Sequence, residues 1–169
     1  FFYLLCYLKV VYFSWPFMLI LYWPLTALYV YAIYLVDILF FPIMYNNHND
    51  EIFKLNYNLI PFRTIYELYI HDIAFGKQVI GNIVMFIPIG FTVPILFKYF
   101  NNIKRIATLS FVISLSIELT QGLINVLTKY SLRSTDIDDL ILNIMGGILG
   151  FVLFTVLKKP LANIFDIDI

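Results

Sequence analysis

The stretch IATLSFVISLSIELTQGLINVLT, residues 106–128, decides the fold class. It lies between Arg105 and Lys129, and Glu118 is its only charged residue. Its length suits a membrane-crossing helix, which needs roughly 20 apolar residues. Four polar side chains step along it by four, three and four positions: Ser114, Glu118, Gln121 and Asn125. Such steps place them on one helix face. Because an acid facing lipid costs about 2.5–3.5 kcal/mol on insertion scales, we expect that face to be buried against protein.

The composition of the whole chain agrees with a membrane protein. Of its 169 residues, 62% are hydrophobic and 13% are charged, whereas a soluble domain is roughly 45–50% apolar and about 25% charged. So little polar surface cannot cover a globule in water, which excludes a soluble enzyme. Eleven basic and eleven acidic residues cancel, so the net charge gives no indication of a nucleic-acid partner.

Three further apolar runs cover residues 10–36, 78–97 and 140–157. The first continues to Tyr45 and is too long for one straight span, so we predict a single span over about 17–41. Two spans meeting near Trp23 are the alternative, although they would place Lys9 inside the membrane. The predicted fold class is all-α: a polytopic integral membrane helical bundle with four, or alternatively five, transmembrane helices, forming one membrane domain over residues 1–169.

The basic residues predict the topology. Six of them lie close to span ends on one side of the membrane if both termini are cytoplasmic: Lys9, Lys98, Lys104, Arg105, Lys158 and Lys159. This arrangement satisfies the positive-inside rule and places the loop of residues 42–77 outside. Within that loop, NLIPFRTIYELYIHDIAFG (58–76) has apolar residues at helical spacing. It predicts an amphipathic or re-entrant external segment.

The fourth run begins with a second polar stripe. Three polar and three small residues follow one another on it at helical spacing: Asp136, Asp139, Asn143, Gly146, Gly147 and Gly150. The small-xxx-small spacing of Gly146 and Gly150 predicts close packing against the third span. That packing would bring Asp139 and Asn143 to the level of Glu118.

The second span carries helix-breaking residues. Its segment GNIVMFIPIGFTVP, residues 81–94, has Asn82 near the outer end and Pro88 and Gly90 further along. Two prolines and two glycines predict a kinked or interrupted helix, and broken helices often line binding sites in membranes. Arg63 in the external segment and Arg133 before the fourth span are the candidates to pair with carboxylates.

Each of these features also has a purely structural interpretation. Glu118 and Gln121 could form an interhelical hydrogen bond that holds the bundle together. Asp136 could be a helix N-cap beside solvated loop charges, with Thr135 as a competing cap. The glycines could serve packing alone. The two histidines lie far apart in sequence, so we expect no metal site and no cofactor. The convergence of the polar groups at one depth favours a site.

Four motifs stand in a specific order: NLIPF (58–62), GNIVMFIPIGF (81–91), SLSIELTQG (114–122), and Arg133 followed by STDIDDLILNIMGGILGF (134–151). They resemble the VanZ-like family, a group named for a teicoplanin-resistance protein, over a core of about residues 56–155. The resemblance implies a small bacterial multi-pass protein of the cytoplasmic membrane. Some members are linked to low-level lipoglycopeptide resistance, and the resemblance implies no established mechanism. It marks ten positions as characteristic: Asn82, Pro88, Gly90, Glu118, Gln121, Arg133, Asp136, Asp139, Asn143 and Gly147.

Our first hypothesis is a binding or protective module. A polar pocket in the outer leaflet, roofed by the external loop, would accept the headgroup of a lipid or an acylated glycopeptide antibiotic. The expected partners are membrane lipids, together with a lipoglycopeptide or a lipid-linked cell-wall precursor. The candidate ligand-binding residues are Arg63, Asn82, Glu118, Gln121, Arg133, Asp136, Asp139 and Asn143. The candidate structural residues are Pro88, Gly90, Gly146, Gly147 and Gly150.

The alternative hypothesis is a membrane enzyme that modifies a lipid-linked cell-envelope precursor. Glu118 or Asp139 would act as the general base, and Arg133 would stabilise developing negative charge. Three or four carboxylates could also bind a divalent cation. Transport along the second span is a third hypothesis, which would need an oligomer because four or five spans are few for alternating access.

Overall fold

The computed structural model describes residues 22, 25–37, 39–41, 56–71, 75–130 and 134–165. In these ranges the elements are α1 (Leu25–Asp37), β1 (Tyr57–Asn58), α2 (Arg63–His71), α3 (Phe75–Leu96), a 3-10 turn (Lys98–Phe100), α4 (Ile103–Thr128), β2 (Thr135–Asp136) and α5 (Ile137–Phe165). The described chain is therefore mostly helical, as predicted.

Three helices are long and apolar enough to cross a membrane: Gly76–Leu96, Ile103–Thr128 and Ile137–Pro160. They correspond to the second, third and fourth predicted spans. The predicted first span, over about 17–41, is described only in part, and its helix α1 is shorter than a membrane crossing. A total of four or five spans therefore stays a prediction.

One face of α4 buries a polar stripe, and much of the rest of the helix exposes apolar side chains. All four members of the predicted stripe are buried, and Ser110 extends the stripe by one turn. Many exposed side chains of the same helix are large and hydrophobic, among them Phe111, Leu119 and Leu127. This distribution is the reverse of a soluble protein, where apolar side chains fill the core. It is the distribution expected of a helix that turns its apolar surface to lipid.

Helix α4 begins and ends at recognisable signals. Asn102 has extended backbone, and its side-chain oxygen accepts a hydrogen bond from the Lys104 backbone N–H at 2.9 Å, as an N-cap does. At the other end, Lys129 adopts a left-handed conformation with φ of 52°, which stops the helix. The chain then returns through residues 131–133, which lie outside the described ranges, to the start of α5.

Helix α5 packs mainly on α3 and, on its other side, on α4. A Cβ built on Gly146 would lie 2.1 Å from the backbone oxygen of Ile83 in α3, and Gly150 is equally close to Ile87. The prediction that this glycine pair packs against the third span is therefore wrong, because its partner is the second span. Gly147 is the glycine that faces α4, where its Cβ would lie 2.0 Å from Ser110 Oγ.

Helix α3 continues without a break from Phe75 to Leu96, with Pro88 and Pro94 inside it. The alternative of an interrupted second span is therefore wrong. The prolines remove only two N–H donors from a 22-residue helix. Close packing on α5 supports the segment between them, so the rest of the hydrogen-bond ladder can persist.

A short parallel strand pair links residues 57–58, which precede α2, to the start of α5. Tyr57 pairs with Thr135 and Asn58 with Asp136. This pair was not predicted, because two residues are too few to show an alternating pattern. The helix predicted within 58–76 is present as α2, and none of its residues is buried.

Candidate functional site

A pocket of about 1010 Å³ opens among α1, α3, α4 and α5. One part of its wall is apolar and includes Tyr31, Leu35 and Leu39 from the first helix region, Met85 from α3 and Ile117 from α4. The polar part of its lining comes from α3, α4 and the start of α5: Lys77, Gln78, Asn82, Glu118, Gln121, Ser134, Asp139 and Asn143. Five of the predicted ligand-binding residues thus meet at one cavity.

Glu118 lies at the junction of α4 and β2. It is 6% exposed, and its Oε2 accepts a hydrogen bond from the Asp136 backbone N–H at 2.9 Å. One carboxylate oxygen thus holds the beginning of α5 against α4. The side chain lines the pocket as well, together with Asp139 of α5, whereas Asp136 is not part of the lining.

Hydrogen bonds join the other polar groups of the lining across helices. Asn82 Nδ2 of α3 donates to Asp139 Oδ1 of α5, and the Gln78 side chain also hydrogen-bonds Asp139. Gln121 Nε2 donates to the Leu39 carbonyl at 3.2 Å, which connects α4 to the end of the first helix region. These bonds fix the polar wall without using all of its acceptors.

Asn143 is 1% exposed and lines the pocket. Its Nδ2 donates to Ser114 Oγ at 2.9 Å, whereas its Oδ1 has no hydrogen-bond partner. Buried polar atoms are nearly always paired, so a free acceptor at a cavity wall is a feature that needs an explanation.

Asp136 and Asp138 hold the segment of residues 58–65 rather than the pocket. The Asp136 carboxylate accepts from Asn58 Nδ2 at 2.9 Å, from Thr64 Oγ1 and from the Asp138 backbone N–H at 2.9 Å. The last bond caps α5, and the competing cap Thr135 has a hydroxyl without a partner. Asp136 thus takes the structural role that the sequence left open.

Asp138 caps a helix that is distant in the sequence. Its two oxygens accept from the backbone N–H groups of Phe62, Thr64 and Ile65, at the start of α2. Phe62 itself adopts a left-handed φ of 65°, which turns the chain into α2. Sequence reasoning missed this role, because a cap supplied from more than 70 positions away leaves no local signal.

The basic side chains that the structure describes do not lie where the binding hypothesis placed them. Arg63 pairs with Glu67 at 2.9 Å on the exposed face of α2 and does not line the pocket. Arg133 lies outside the described residues. Among the described residues, Lys77 is the one cation of the lining. No sequence signal indicated this role, because Lys77 stands directly before an apolar run, where a basic residue commonly marks the end of a span.

The described residues contain no group of three or more His, Cys, Asp or Glu side chains that could hold a metal ion. Glu118 and Asp139 are the two carboxylates of the pocket lining. The neighbouring carboxylates of Asp136 and Asp138 are already occupied by hydrogen bonds from Asn58 and Thr64. The hypothesis of a divalent cation therefore finds no ligand set in this part of the chain.

Comparison with known proteins agrees with the motifs. The model of the VanZ/LLP1 family matches residues 28–158. "Protein VanZ" of Enterococcus faecium is 28% identical over 113 residues, which are 64% of this chain and 66% of that protein. The chain thus matches slightly less than two thirds of the length of this relative. No solved structure matches it.

Proposed function

Because the chain belongs to the VanZ/LLP1 family, we propose that it binds the headgroup of a lipid or an acylated glycopeptide antibiotic in its polar pocket. Through this binding it contributes to resistance to lipoglycopeptides such as teicoplanin. The family match supports the association with resistance, and the pocket supports the binding step.

The observation that carries the proposal is the two-sided lining of the pocket. An apolar wall that includes Leu35, Leu39 and Met85 faces a polar wall formed by Asn82, Glu118 and other side chains. Ligand sites commonly combine a mainly apolar lining with a few placed polar groups, in volumes of roughly 300–1,000 Å³. An amphipathic molecule fits such a lining, because its headgroup and its acyl chain each find a matching surface.

The positions of the basic residues support an outward-facing pocket. Lys98, Lys104 and Arg105 lie at the turn between α3 and α4, and Lys158 lies near the end of α5. Because α4 and α5 are successive spans, these residues share one side of the membrane, which the positive-inside rule assigns to the cytoplasm. The polar pocket residues lie toward the opposite ends of the same helices. The cytoplasmic membrane of a bacterium, with both termini inside, is the location that we propose.

We expect Glu118→Gln to abolish resistance to teicoplanin while the protein still folds. The glutamine carbonyl can still accept the Asp136 N–H, but the negative charge at the pocket wall is lost. Minimal inhibitory concentrations should fall to the level of cells that carry an empty vector, at equal amounts of protein in the membrane.

Glu67→Gln is the matched control, since it removes the same charge from an exposed position on α2. We expect that variant to keep full resistance. Wild-type resistance in Glu118→Gln would refute the proposal. The same cells are also tested with a glycopeptide that has no acyl chain. Resistance limited to the acylated antibiotic indicates binding of that antibiotic, whereas resistance to both indicates a general change in the cell envelope.

The second candidate function is a membrane enzyme acting on a lipid-linked envelope precursor. The presence of two carboxylates, Glu118 and Asp139, in one lining favours it, because acid/base chemistry commonly uses such pairs. Asp139→Asn keeps an oxygen that can accept from Asn82 but removes the base. If the protein is an enzyme, mass spectrometry should find an altered precursor in wild-type cells that is missing from this variant. Identical envelope lipids in wild-type and empty-vector cells would exclude this candidate.

A further inference from the structure

The charged groups of the pocket are unbalanced. Among the residues that the structure describes, its lining contains two carboxylates, Glu118 and Asp139, and one cation, Lys77. In the part of the chain that the structure describes, the one ion pair joins Arg63 to Glu67, away from the pocket. Neither carboxylate of the lining therefore has a basic side chain in contact with it among these residues, and the formal charge of the lining is negative.

Among the described residues of the same lining, two have a buried polar atom without a hydrogen-bond partner. Asn143 Oδ1 is buried at a side chain only 1% exposed and receives no hydrogen bond. The hydroxyl of Tyr31, another residue of the lining, is also buried without a partner. An unpaired buried acceptor costs about 1–3 kcal/mol. A donor brought by a ligand would remove that cost.

We propose that the pocket selects the primary ammonium group of an acylated molecule. This inference rests on the proposed function and names the chemistry of its ligand. An ammonium has three N–H donors and no acceptor, so it can satisfy Asn143 Oδ1 and a carboxylate at once. It also supplies positive charge to balance the second carboxylate, since Lys77 is the one cation in the described part of the lining.

A headgroup whose only ionic group is a phosphate or a carboxylate suits the site poorly. It carries no donor for Asn143 Oδ1 when ionised. It would also bring negative charge beside Glu118 and Asp139, and like charges repel strongly where water is excluded. Of the two arginines among the predicted ligand-binding residues, Arg63 does not line the pocket, and the described lining offers only Lys77 to hold an anion.

The acyl chain of the ligand would lie on the apolar wall, along Leu35, Leu39 and Ile117. Two sources could supply this combination of groups. One is a membrane lipid with an amine headgroup, and the other is an acylated peptide antibiotic with a free amine. Their shared chemistry is a primary ammonium linked to a long chain.

The test is equilibrium binding by calorimetry to the purified full chain in a neutral maltoside detergent. The probes are dodecylammonium, its neutral N-acetyl derivative and dodecyl phosphate. We expect dodecylammonium to bind at least about tenfold more tightly than either of the others, since hydrogen bonds to charged groups are the stronger ones. Most of this preference should be lost in Glu118→Gln and kept in Glu67→Gln, whose altered carboxylate is exposed.

The outcomes separate this inference from the proposed function. Equal binding of the three probes, or tighter binding of the phosphate, overturns the ammonium assignment while a site for amphiphiles remains. If none of the three probes binds, and neither phosphatidylethanolamine nor teicoplanin binds, both proposals are wrong. A preference that survives in Glu118→Gln also overturns the assignment.

A competition experiment identifies the source of the amine. Displacement of dodecylammonium by phosphatidylethanolamine, and not by phosphatidylglycerol, identifies a lipid headgroup. Displacement by teicoplanin, and not by teicoplanin with its amine acetylated, identifies the antibiotic. If neither phosphatidylethanolamine nor teicoplanin displaces dodecylammonium, the proposal that the pocket serves an acylated amine is wrong.

Discussion

Replacing Gly90 with alanine should separate α3 from α5 and lower the free energy of unfolding by at least about 3 kcal/mol, since overpacking typically costs 1–3 kcal/mol and backbone atoms cannot move aside as side chains do. A Cβ at this position would lie 1.9 Å from the Gly147 carbonyl oxygen and 2.9 Å from the Phe151 backbone nitrogen. Relief of the clash requires the two helices to move apart. Thermal or denaturant unfolding in neutral detergent measures the loss.

Gly81→Ala is the matched control for this prediction. It lies in the same helix, and a Cβ there meets nothing within 4 Å. Alanine is favoured over glycine inside a helix by about 1 kcal/mol, so this variant should be as stable as the wild type or slightly more stable. Equal stabilities of the Gly81 and Gly90 variants would contradict the close packing of α3 on α5.

The second large effect is expected at Asp138, whose replacement with alanine should release α2 from the rest of the protein. The substitution removes the acceptor of three backbone N–H groups, at Phe62, Thr64 and Ile65. Hydrogen bonds to charged groups contribute roughly 1.5–3 kcal/mol each. Because part of α2 is exposed and can find water instead, we expect a net loss of about 3 kcal/mol for the docked state.

Hydrogen exchange of the α2 amides measures this loss directly. In Asp138→Ala they should exchange far faster than in the wild type, while the amides of α4 keep their protection. Asp138→Asn keeps one acceptor oxygen and should give an intermediate rate. The exposed Glu67→Gln change serves as the control, with rates near those of the wild type. Unchanged exchange in Asp138→Ala would show that other contacts hold the helix in place.

The buried faces of the spans could be predicted because helical periodicity is local. Residues four and three apart on α4 share a face whatever surrounds them, and the cost of an acid in lipid decides which face is inside. Asp139 and Asn143 do line one pocket with Glu118, although the glycine contact that was expected to bring them there is made with α3 instead. For the stripe on α4, burial followed from the sequence alone.

Which neighbour each buried face contacts could not be predicted in the same way. Gly146 and Gly150 permit a close approach of any neighbouring backbone, and nothing in their spacing distinguishes α3 from α4. Arg63 was a reasonable partner for the acid cluster by charge alone. It lies instead beside Glu67, four positions away on its own helix, where the pair is exposed.

The sequence by itself predicted a helical membrane bundle, including the three helices that are long and apolar enough to cross a membrane, and it predicted that the polar stripe of α4 is buried. It could do so because hydropathy and periodicity are properties of short segments. Only the tertiary structure decided that Asp138 caps α2, that Lys77 joins the lining and that Asn143 Oδ1 has no partner. Each of these facts depends on groups far apart in the chain. Their distances follow from how whole helices pack, and no local pattern of residues encodes that packing.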